Sequence, residues 1–181
     1  MDLIWKYSYK NHNEKKQILL DVIDKCNSET IDTLQSNGDL ISKTDYYQDV
    51  SRPYMNILLN DLEDFRQHLL NYHCCSSLKV VGSWFQQYYK NDIHNWHFHA
   101  SCNLSVVYFL ELDSFKDSTE FFDISTRKCF QIEDVKEGDI IVFPSLIPHR
   151  SPKNKSEKRK SIISFNLNFG QVNMNLLPGG S

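Results

Sequence analysis

Two histidines separated by one residue, His97 and His99, are the side chains of this sequence best suited to chemistry. Alternate residues of a β-strand point to the same face, so a strand here would present both imidazoles together. His149 lies far downstream, after a strand and a proline-rich turn that would carry a third imidazole to the same cavity. This spacing predicts a mononuclear non-heme iron centre with open positions. The competing interpretation is a buried strand whose ring nitrogens bond to the backbone.

The composition limits the kind of protein that can carry such a site. A chain of 181 residues has the length of one domain and can bury a core without disulfides. The formal net charge of −3 argues against a general attraction to nucleic acid. The five cysteines are irregularly spaced, as in reduced intracellular proteins. No signal-peptide pattern or membrane-spanning apolar segment is present, so we expect a cytoplasmic protein with no membrane partner.

Helical periodicity dominates residues 1–76, which we predict to be an N-terminal helical support. Apolar residues recur at helical spacing from Asn13 to Cys26. A second helix is predicted from Pro53 to Tyr72, because proline is favoured in the first turn of a helix. Residues 37–52 lack a clear period, and we expect them to form a loop at the edge or mouth of the sheet that follows.

Short segments rich in β-branched and aromatic residues fill residues 77–170, with turn residues between them. The predicted strands are Leu78 to Tyr89, Asn95 to Ala100, Leu104 to Glu111, Glu120 to Ile124, Cys129 to Ile132, Asp139 to Pro144 and Ser161 to Phe169. Strands without intervening helices predict a cupin-like jelly roll, a double-stranded β-helix. We therefore expect one domain, mainly β with N-terminal helices, whose catalytic core is residues 77–170 and whose tail is residues 171–181.

Several motifs follow one another along the predicted core. They are Tyr88, Trp96-His97-x-His99, Phe143-Pro-Ser-x-x-x-His149, Arg159-x-Ser161 and Ser164-Phe-Asn166. Their order resembles the iron(II)- and 2-oxoglutarate-dependent oxygenases, and looks closest to a group from phages and marine bacteria that is distantly similar to prolyl hydroxylases. The resemblance covers residues 80–169. It implies a jelly-roll core, Fe(II), 2-oxoglutarate and O2, and hydroxylation of a carbon centre with release of succinate and CO2.

The ligand set departs from most of that superfamily, which has aspartate or glutamate at the position of His99. Three interpretations are open. His97, His99 and His149 form an all-histidine triad, as in some cupin-type dioxygenases; or Asp123 supplies the carboxylate and one of the paired histidines does not bind the metal; or the protein is an inactive binding module. We favour the triad, because His97 and His99 share a face on one strand, whereas Asp123 reaches the cavity in only one register.

The resemblance also implies a cation and a hydroxyl for the distal carboxylate of 2-oxoglutarate. Arg159 and Ser161 would share one face of a strand, and the planar guanidinium matches a carboxylate. Lys160 is the anchor instead if the strand is shifted by one residue. A separate alternative is that Arg159 belongs to the solvated charge run. Tyr88 stands where prolyl hydroxylases have a tyrosine that contacts the co-substrate.

The remaining expectations concern the walls and the entrance of the pocket. Candidate apolar walls, each equally compatible with ordinary core packing, are Trp84, Phe98, Tyr108, Phe143 and Phe165. His94 is placed at the pocket rim or in an exposed loop. Residues 37–52 and the loop from Lys153 to Lys158 are expected to flank the open side, with Tyr46, Tyr47 and Arg52 as candidate substrate contacts.

The prime substrate is left open by the sequence. A peptide side chain is slightly favoured by the resemblance to prolyl hydroxylases, and a nucleobase, a free amino acid or another small molecule are the alternatives. The alternative function is a cupin-like three-histidine metalloprotein that does not use 2-oxoglutarate, either a dioxygenase or a non-catalytic binding module. Arg159-x-Ser161 argues against it, because such a protein does not need a remote carboxylate anchor.

Overall fold

The computed structural model describes residues 4–177, which form two antiparallel β-sheets and three α-helices. The helices are α1 (His12–Lys25), α2 (Pro53–Asn60) and α3 (Glu63–Tyr72). The strands are β1 (Trp5–Ser8), β2 (Glu29–Asp32), β3 (Leu40–Thr44), β4 (Leu78–Tyr88), β5 (His94–His97), β6 (Leu104–Glu111), β7 (Glu120–Asp123), β8 (Lys128–Gln131), β9 (Asp139–Pro144), β10 (His149–Ser151) and β11 (Lys160–Phe169). The large sheet has the order β1-β9-β6-β11-β4-β3-β2, and the small sheet has the order β5-β10-β7-β8. The predicted jelly roll with N-terminal helices is confirmed.

The central strands of the large sheet are buried on both faces, so they read as continuous apolar runs. Alternate residues divide between two cores. Ile163 and Phe165 of β11 belong to the core under the helices, whereas Ile162 belongs to the core between the sheets. This alternation decides which residues of β4 and β11 reach the cavity.

The helices cover the outer face of the large sheet. Leu19 and Ile23 of α1, Leu58 of α2 and Leu69 of α3 are all at most 2% exposed and join the core under the helices. Burial of each such side chain stabilises the fold by roughly 1.5–3 kcal/mol. The helices therefore support the sheet from behind and leave its inner face to the small sheet and the site.

The N-terminal region contains strands as well as helices, which the sequence analysis did not predict. β1 pairs with β9, and β3 pairs with β4 inside the expected loop of residues 37–52. Both partners are distant in sequence, so local periodicity carries no signal for them. The single helix predicted from Pro53 to Tyr72 is two helices, because Leu62 turns inward and is buried while Asp61 accepts a hydrogen bond from Tyr9.

The ends of the chain complete the description. No helix among residues 4–177 is long and apolar enough to cross a membrane. Part of the expected tail is anchored, since the backbone N–H of Ser76 donates to Gln171 and that of Asn173 donates to Cys74. Residues 178–181, expected to be disordered, lie outside the described residues.

Candidate metal centre

Three histidines converge in the cavity between the sheets. His97 ends β5, His149 begins β10, and the two are paired directly across the strands. His99 follows β5, and its backbone N–H donates to the carbonyl of Ser145 at 2.9 Å. One ligand atom from each ring lies within 4.8 Å of the others. The predicted convergence of His97, His99 and His149 is therefore present in the structure.

The hydrogen bonds of two rings leave a free nitrogen for a metal. Nδ1 of His97 donates to the carbonyl of Asn95 at 2.7 Å, and Nδ1 of His149 donates to the carbonyl of Ile147 at 2.8 Å. A neutral imidazole with its proton on Nδ1 keeps a lone pair on Nε2. These two rings are thus fixed in the tautomer that binds a metal through Nε2.

The electrostatics of the cavity keep the rings neutral. Burial, reinforced by the neighbouring imidazoles, lowers the pKa of His99 to about 4 and that of His149 to about 3. Burial also lowers the pKa of His97. Metal binding requires deprotonated imidazole, and all three rings have that protonation state near neutral pH. Three imidazoles suit Fe(II) among other transition metals, and the donor set fits the iron that the sequence predicted.

Asp123 is not part of this cluster. Its carboxylate caps its own turn, accepting the hydroxyls of Ser125 at 2.7 Å and Thr126 at 2.6 Å. These hydrogen bonds lower the pKa of Asp123 to about 2. It borders a separate groove that contains none of the three histidines. The interpretation that Asp123 replaces a histidine ligand is wrong for this structure, because its strand ends in a tight hairpin that turns the carboxylate back on itself.

A fourth histidine lies beside the cluster. The ring of His94 stacks on that of His97 with centroids 3.9 Å apart, and its Nδ1 is 3.5 Å from the amide nitrogen of Gln86. Of the two placements expected for His94, the structure has the one at the pocket and not the exposed loop. The register between β5 and β10 shifts between His149 and Ser151, and this irregularity brings His94 to the cavity. Simple alternation in the sequence carries no sign of it.

Arg159 does not point into the cavity. Its guanidinium binds the carboxylate of Glu111 through two hydrogen bonds of 2.7 and 3.1 Å. The hydroxyl of Ser161 donates to the same carboxylate at 2.5 Å. Arg159 and Ser161 do share a face, as predicted, but it is the face of β11 directed away from the metal cluster.

Lys160 lies on the inner face of β11 instead. It is 2% exposed, and it pairs across the sheet with Tyr88. Its Nζ donates to the carbonyl of Asp117 at 2.8 Å and to the hydroxyl of Ser151, and it lies 4.4 Å from the centre of the Tyr88 ring. Burial lowers the pKa of Lys160 to about 7. The one-residue shift that the sequence left open is the arrangement present.

Only some of the residues expected to form the cavity wall line the cavity. Tyr88 is fully buried in it and donates to Oε1 of Gln86 at 2.8 Å. Trp84 and Phe143 also line it. The other expected wall residues do not: Tyr108 and Phe165 belong to the core under the helices, and Phe98 is 60% exposed. The described residues that line the cavity include no aspartate or glutamate.

The expected entrance segments differ in their relation to the cavity. Tyr46 contacts Trp84 edge to face with ring centroids 5.0 Å apart, and Trp84 stacks on His99. Tyr47 contacts Tyr46 and is 70% exposed. Arg52 does not face the cavity, because its guanidinium donates to the carbonyls of Asp45 and Gln48.

The loop from Lys153 to Lys158 borders a different groove from the histidine cavity. Lys153 and Lys155 line a groove that also includes Arg150, the neighbour of His149. Arg150 lies over the ring of Trp96 at 4.7 Å and is paired with Glu120 at 2.5 Å. This loop therefore lies beside the strand that carries one ligand.

Comparisons with known proteins agree with this geometry. Residues 82–166 match the family described as "Putative 2OG-Fe(II) oxygenase". A search of the curated proteins found no match. Among solved structures, an oxidoreductase of the 2OG-Fe(II) oxygenase family from Burkholderia pseudomallei is 12% identical, with a TM-score of 0.71 over 92% of this chain and 85% of that one.

Two further structures carry the same fold. The viral collagen prolyl hydroxylase of Paramecium Bursaria Chlorella virus-1, solved with 2-oxoglutarate, is 12% identical with a TM-score of 0.60 over 94% of this chain and 97% of that one. HygX from Streptomyces hygroscopicus, solved with nickel and 2-oxoglutarate, is 10% identical with a TM-score of 0.64 over 92% and 82%. At such identities the likeness shows the fold.

Proposed function

We propose that this chain, whose residues 82–166 match the family of putative 2OG-Fe(II) oxygenases, holds iron through His97, His99 and His149 and anchors the distal carboxylate of 2-oxoglutarate through Lys160. One observation carries this proposal. Three neutral imidazoles converge in a cavity whose lining has no acidic side chain, and a buried lysine contacts two residues of that lining, Tyr88 and Ser151. An iron with neutral ligands and an ammonium together complement a dianion.

The chain's own residues supply binding and orientation. When bound, iron and 2-oxoglutarate together activate oxygen for attack on an unactivated C–H bond. The backbone carbonyls of Asn95 and Ile147 fix the rings of His97 and His149. Lys160 would form charge-assisted hydrogen bonds to the carboxylate, with Ser151 beside it. The aromatic rings of Trp84, Tyr88 and Phe143 would exclude water.

The reaction we place first is hydroxylation of a peptide side chain. The support for it is analogy, since the viral collagen prolyl hydroxylase shares the fold. The exposed rings of Tyr46 and Tyr47, which continue outward from Trp84 and His99, are the proposed contacts of this substrate. A small-molecule substrate is the competing possibility for the same entrance.

The buried lysine also bears on the alternative function. A three-histidine metalloprotein that does not use 2-oxoglutarate has no need of a desolvated ammonium next to its cavity, and burying a cation without an ion-pair partner is costly. In the described part of the chain no acidic side chain forms an ion pair with Lys160, whose donors meet a carbonyl and a hydroxyl. This observation favours the 2-oxoglutarate-dependent reaction.

The test is a measurement of uncoupled turnover. Purified protein with Fe(II), ascorbate and 2-oxoglutarate should produce succinate, which is followed by proton NMR. A Tyr46→Ala variant should keep this uncoupled reaction and lose turnover of hydroxylatable peptides from a synthetic library. Absence of succinate from protein that binds Fe(II) and 2-oxoglutarate would refute the proposed activity.

A further inference from the structure

His99 is held differently from the other two histidines of the cluster. Its Nδ1 lies 3.1 Å from the amide nitrogen of Asn166 on β11, whereas His97 and His149 bond to carbonyls of their own strands. The ring of Trp84 stacks on its face at 5.7 Å with an interplanar angle of 11°. A side chain, not the backbone, therefore meets the second nitrogen of His99.

Asn166 belongs to a buried chain of hydrogen bonds. Its Oδ1 is 3.1 Å from the hydroxyl of Ser105, which is 3.2 Å from the hydroxyl of Ser145. The thiol of Cys102 donates to that same Ser145 hydroxyl at 3.0 Å. The residues Ser105, Ser145 and Asn166 are at most 8% exposed. The amide of Asn166 is therefore held by hydrogen bonds to His99 on one side and Ser105 on the other.

The orientation of the amide determines which nitrogen of His99 carries the proton. With its NH2 group toward the ring, Asn166 donates to Nδ1, and the neutral ring has its proton on Nε2 and no lone pair there. With the amide turned over, Oδ1 accepts from Nδ1–H, and Nε2 is free for a metal. The NH2 group then donates to Ser105, whose hydroxyl donates onward to Ser145.

Both orientations satisfy every partner, because the hydroxyl of Ser105 can donate or accept. We propose that Asn166 is a positioning residue for His99: metal binding selects the orientation in which its carbonyl faces the ring. The inference rests on the metal site of the proposed function. This role gives a reason for an amide at position 166. A carboxylate could only accept a hydrogen bond, and an alkyl side chain could neither donate nor accept one.

Substitution separates this role from simple packing. Asn166→Leu removes both orientations at similar volume and should weaken Zn(II) binding to the metal-free full-length protein about tenfold, the lower end of the effect of outer hydrogen-bond partners on metal affinity. Asn166→Asp retains the acceptor and should bind Zn(II) within threefold of wild type. Calorimetric titration with Zn(II) measures both.

The matched control is Asn168→Leu. Asn168 lies two residues further along β11, and its Oδ1 accepts from the backbone N–H of Asn103. This change should leave Zn(II) affinity within twofold of wild type. Equal affinity of Asn166→Leu and wild type would overturn the proposal, and so would equal loss in Asn166→Leu and Asn166→Asp, which would indicate a packing role.

Nitrogen-15 NMR of histidine-labelled wild-type protein tests the inference without any variant. In the Zn(II)-loaded protein, His99 should be protonated on Nδ1 and coordinated through Nε2. Coordination through Nδ1 would overturn the role of Asn166 while leaving the metal site intact. Failure of wild-type protein to bind Zn(II) at all would instead remove the metal site, and with it both proposals.

Discussion

At one end of the cavity four histidine rings lie within reach of one another, and behind Tyr88 and Ser151 at the other end a single lysine is buried beside a hydroxyl and a carbonyl. The two ends share a strand, since His149 begins β10 and Ser151, the partner of Lys160, ends it. The rings are made neutral by burial and by one another. Lys160 is the one ammonium among the described residues whose pKa burial lowers to about 7.

This difference indicates that the two ends bind ligands of opposite charge. The histidine end presents lone pairs and so demands a cation, whereas the lysine end presents N–H donors and so demands an anion. Among the described residues no acidic side chain lines the cavity, and the donors of Lys160 meet a carbonyl and a hydroxyl. A metal ion and a dicarboxylate bound together would satisfy both ends, and each end can be broken separately by substitution.

The largest effect is expected at the histidine end. His149→Ala should reduce affinity for Zn(II) or Fe(II) more than 100-fold and abolish succinate formation, because it removes one of three ligands and leaves two rings around a void. Calorimetric titration checks the affinity. His68→Ala, at an exposed histidine that stacks on Trp5, is the control and should bind metal like wild type. Normal metal affinity in His149→Ala would exclude this residue as a ligand.

A smaller effect, confined to the co-substrate, is expected at the lysine end. Lys160→Met should weaken 2-oxoglutarate binding about 10- to 100-fold, the range for loss of a hydrogen bond to a charged group, and leave metal affinity unchanged. Isothermal titration of the metal-loaded protein with 2-oxoglutarate measures this.

Arg159→Met is the matched control for that substitution. Its cation faces Glu111 on the other side of β11, so 2-oxoglutarate affinity should change less than twofold. Stability should fall by about 1 kcal/mol, the upper end for a partly exposed ion pair, because Glu111 loses its partner. A larger loss of 2-oxoglutarate affinity in Arg159→Met than in Lys160→Met would reverse the assignment of the anchor.

These substitutions bear on what the sequence could and could not predict. The spacing of His97 and His99 predicts a shared face only on a strand, and β5 ends at His97. His99 still meets the other rings, because its backbone N–H donates to the carbonyl of Ser145. Arg159 and Lys160 are adjacent cations, and the choice between them depends on register, in which one residue exchanges the two faces. Sequence pattern therefore indicated which histidines come together and could not choose between Arg159 and Lys160.

Other parts of the structure depend on contacts that local pattern does not encode. β1 and β3 are short and owe their conformation to distant strands. His94 enters the cavity through a register shift, and Asn166 meets His99 from another sheet. The position of Gln86 in the cavity wall could have been predicted from the sequence. Alternation along β4 puts it on the same face as Trp84 and Tyr88.

The pH dependence of 2-oxoglutarate binding should distinguish the two ends further. With the pKa of Lys160 about 7 in the protein without co-substrate, the dianion binds with uptake of a proton above that pH. Affinity should therefore fall by up to tenfold per pH unit between pH 7 and 9. Titration of Lys160→Arg, which stays protonated, should show a much flatter profile. The same steep profile in that variant would exclude Lys160 as the titrating group.

The sign of the accompanying stability change follows from the same lowered pKa. The unfolded chain keeps its lysine protonated up to the ordinary value of 10.5, so between pH 7 and 10.5 it binds more protons than the folded protein. The contribution of Lys160 to stability is therefore least favourable below pH 7 and improves as the pH rises through this window. Urea denaturation of wild type and Lys160→Met across the window should show this slope in wild type alone.

The smallest effect is expected at Asp123, and it decides between the two ligand sets that the sequence left open. Asp123→Asn should leave Zn(II) affinity within twofold of wild type, because the carboxylate is held by Ser125 and Thr126 and does not face the cavity. Its stabilising contribution should be present above the ordinary pKa of 3.8 and disappear as the pH falls to about 2. Acid denaturation monitored by circular dichroism tests that window. A hundredfold loss of metal affinity in Asp123→Asn would mean that the hairpin opens to supply a carboxylate ligand, and the all-histidine site would then have to be abandoned.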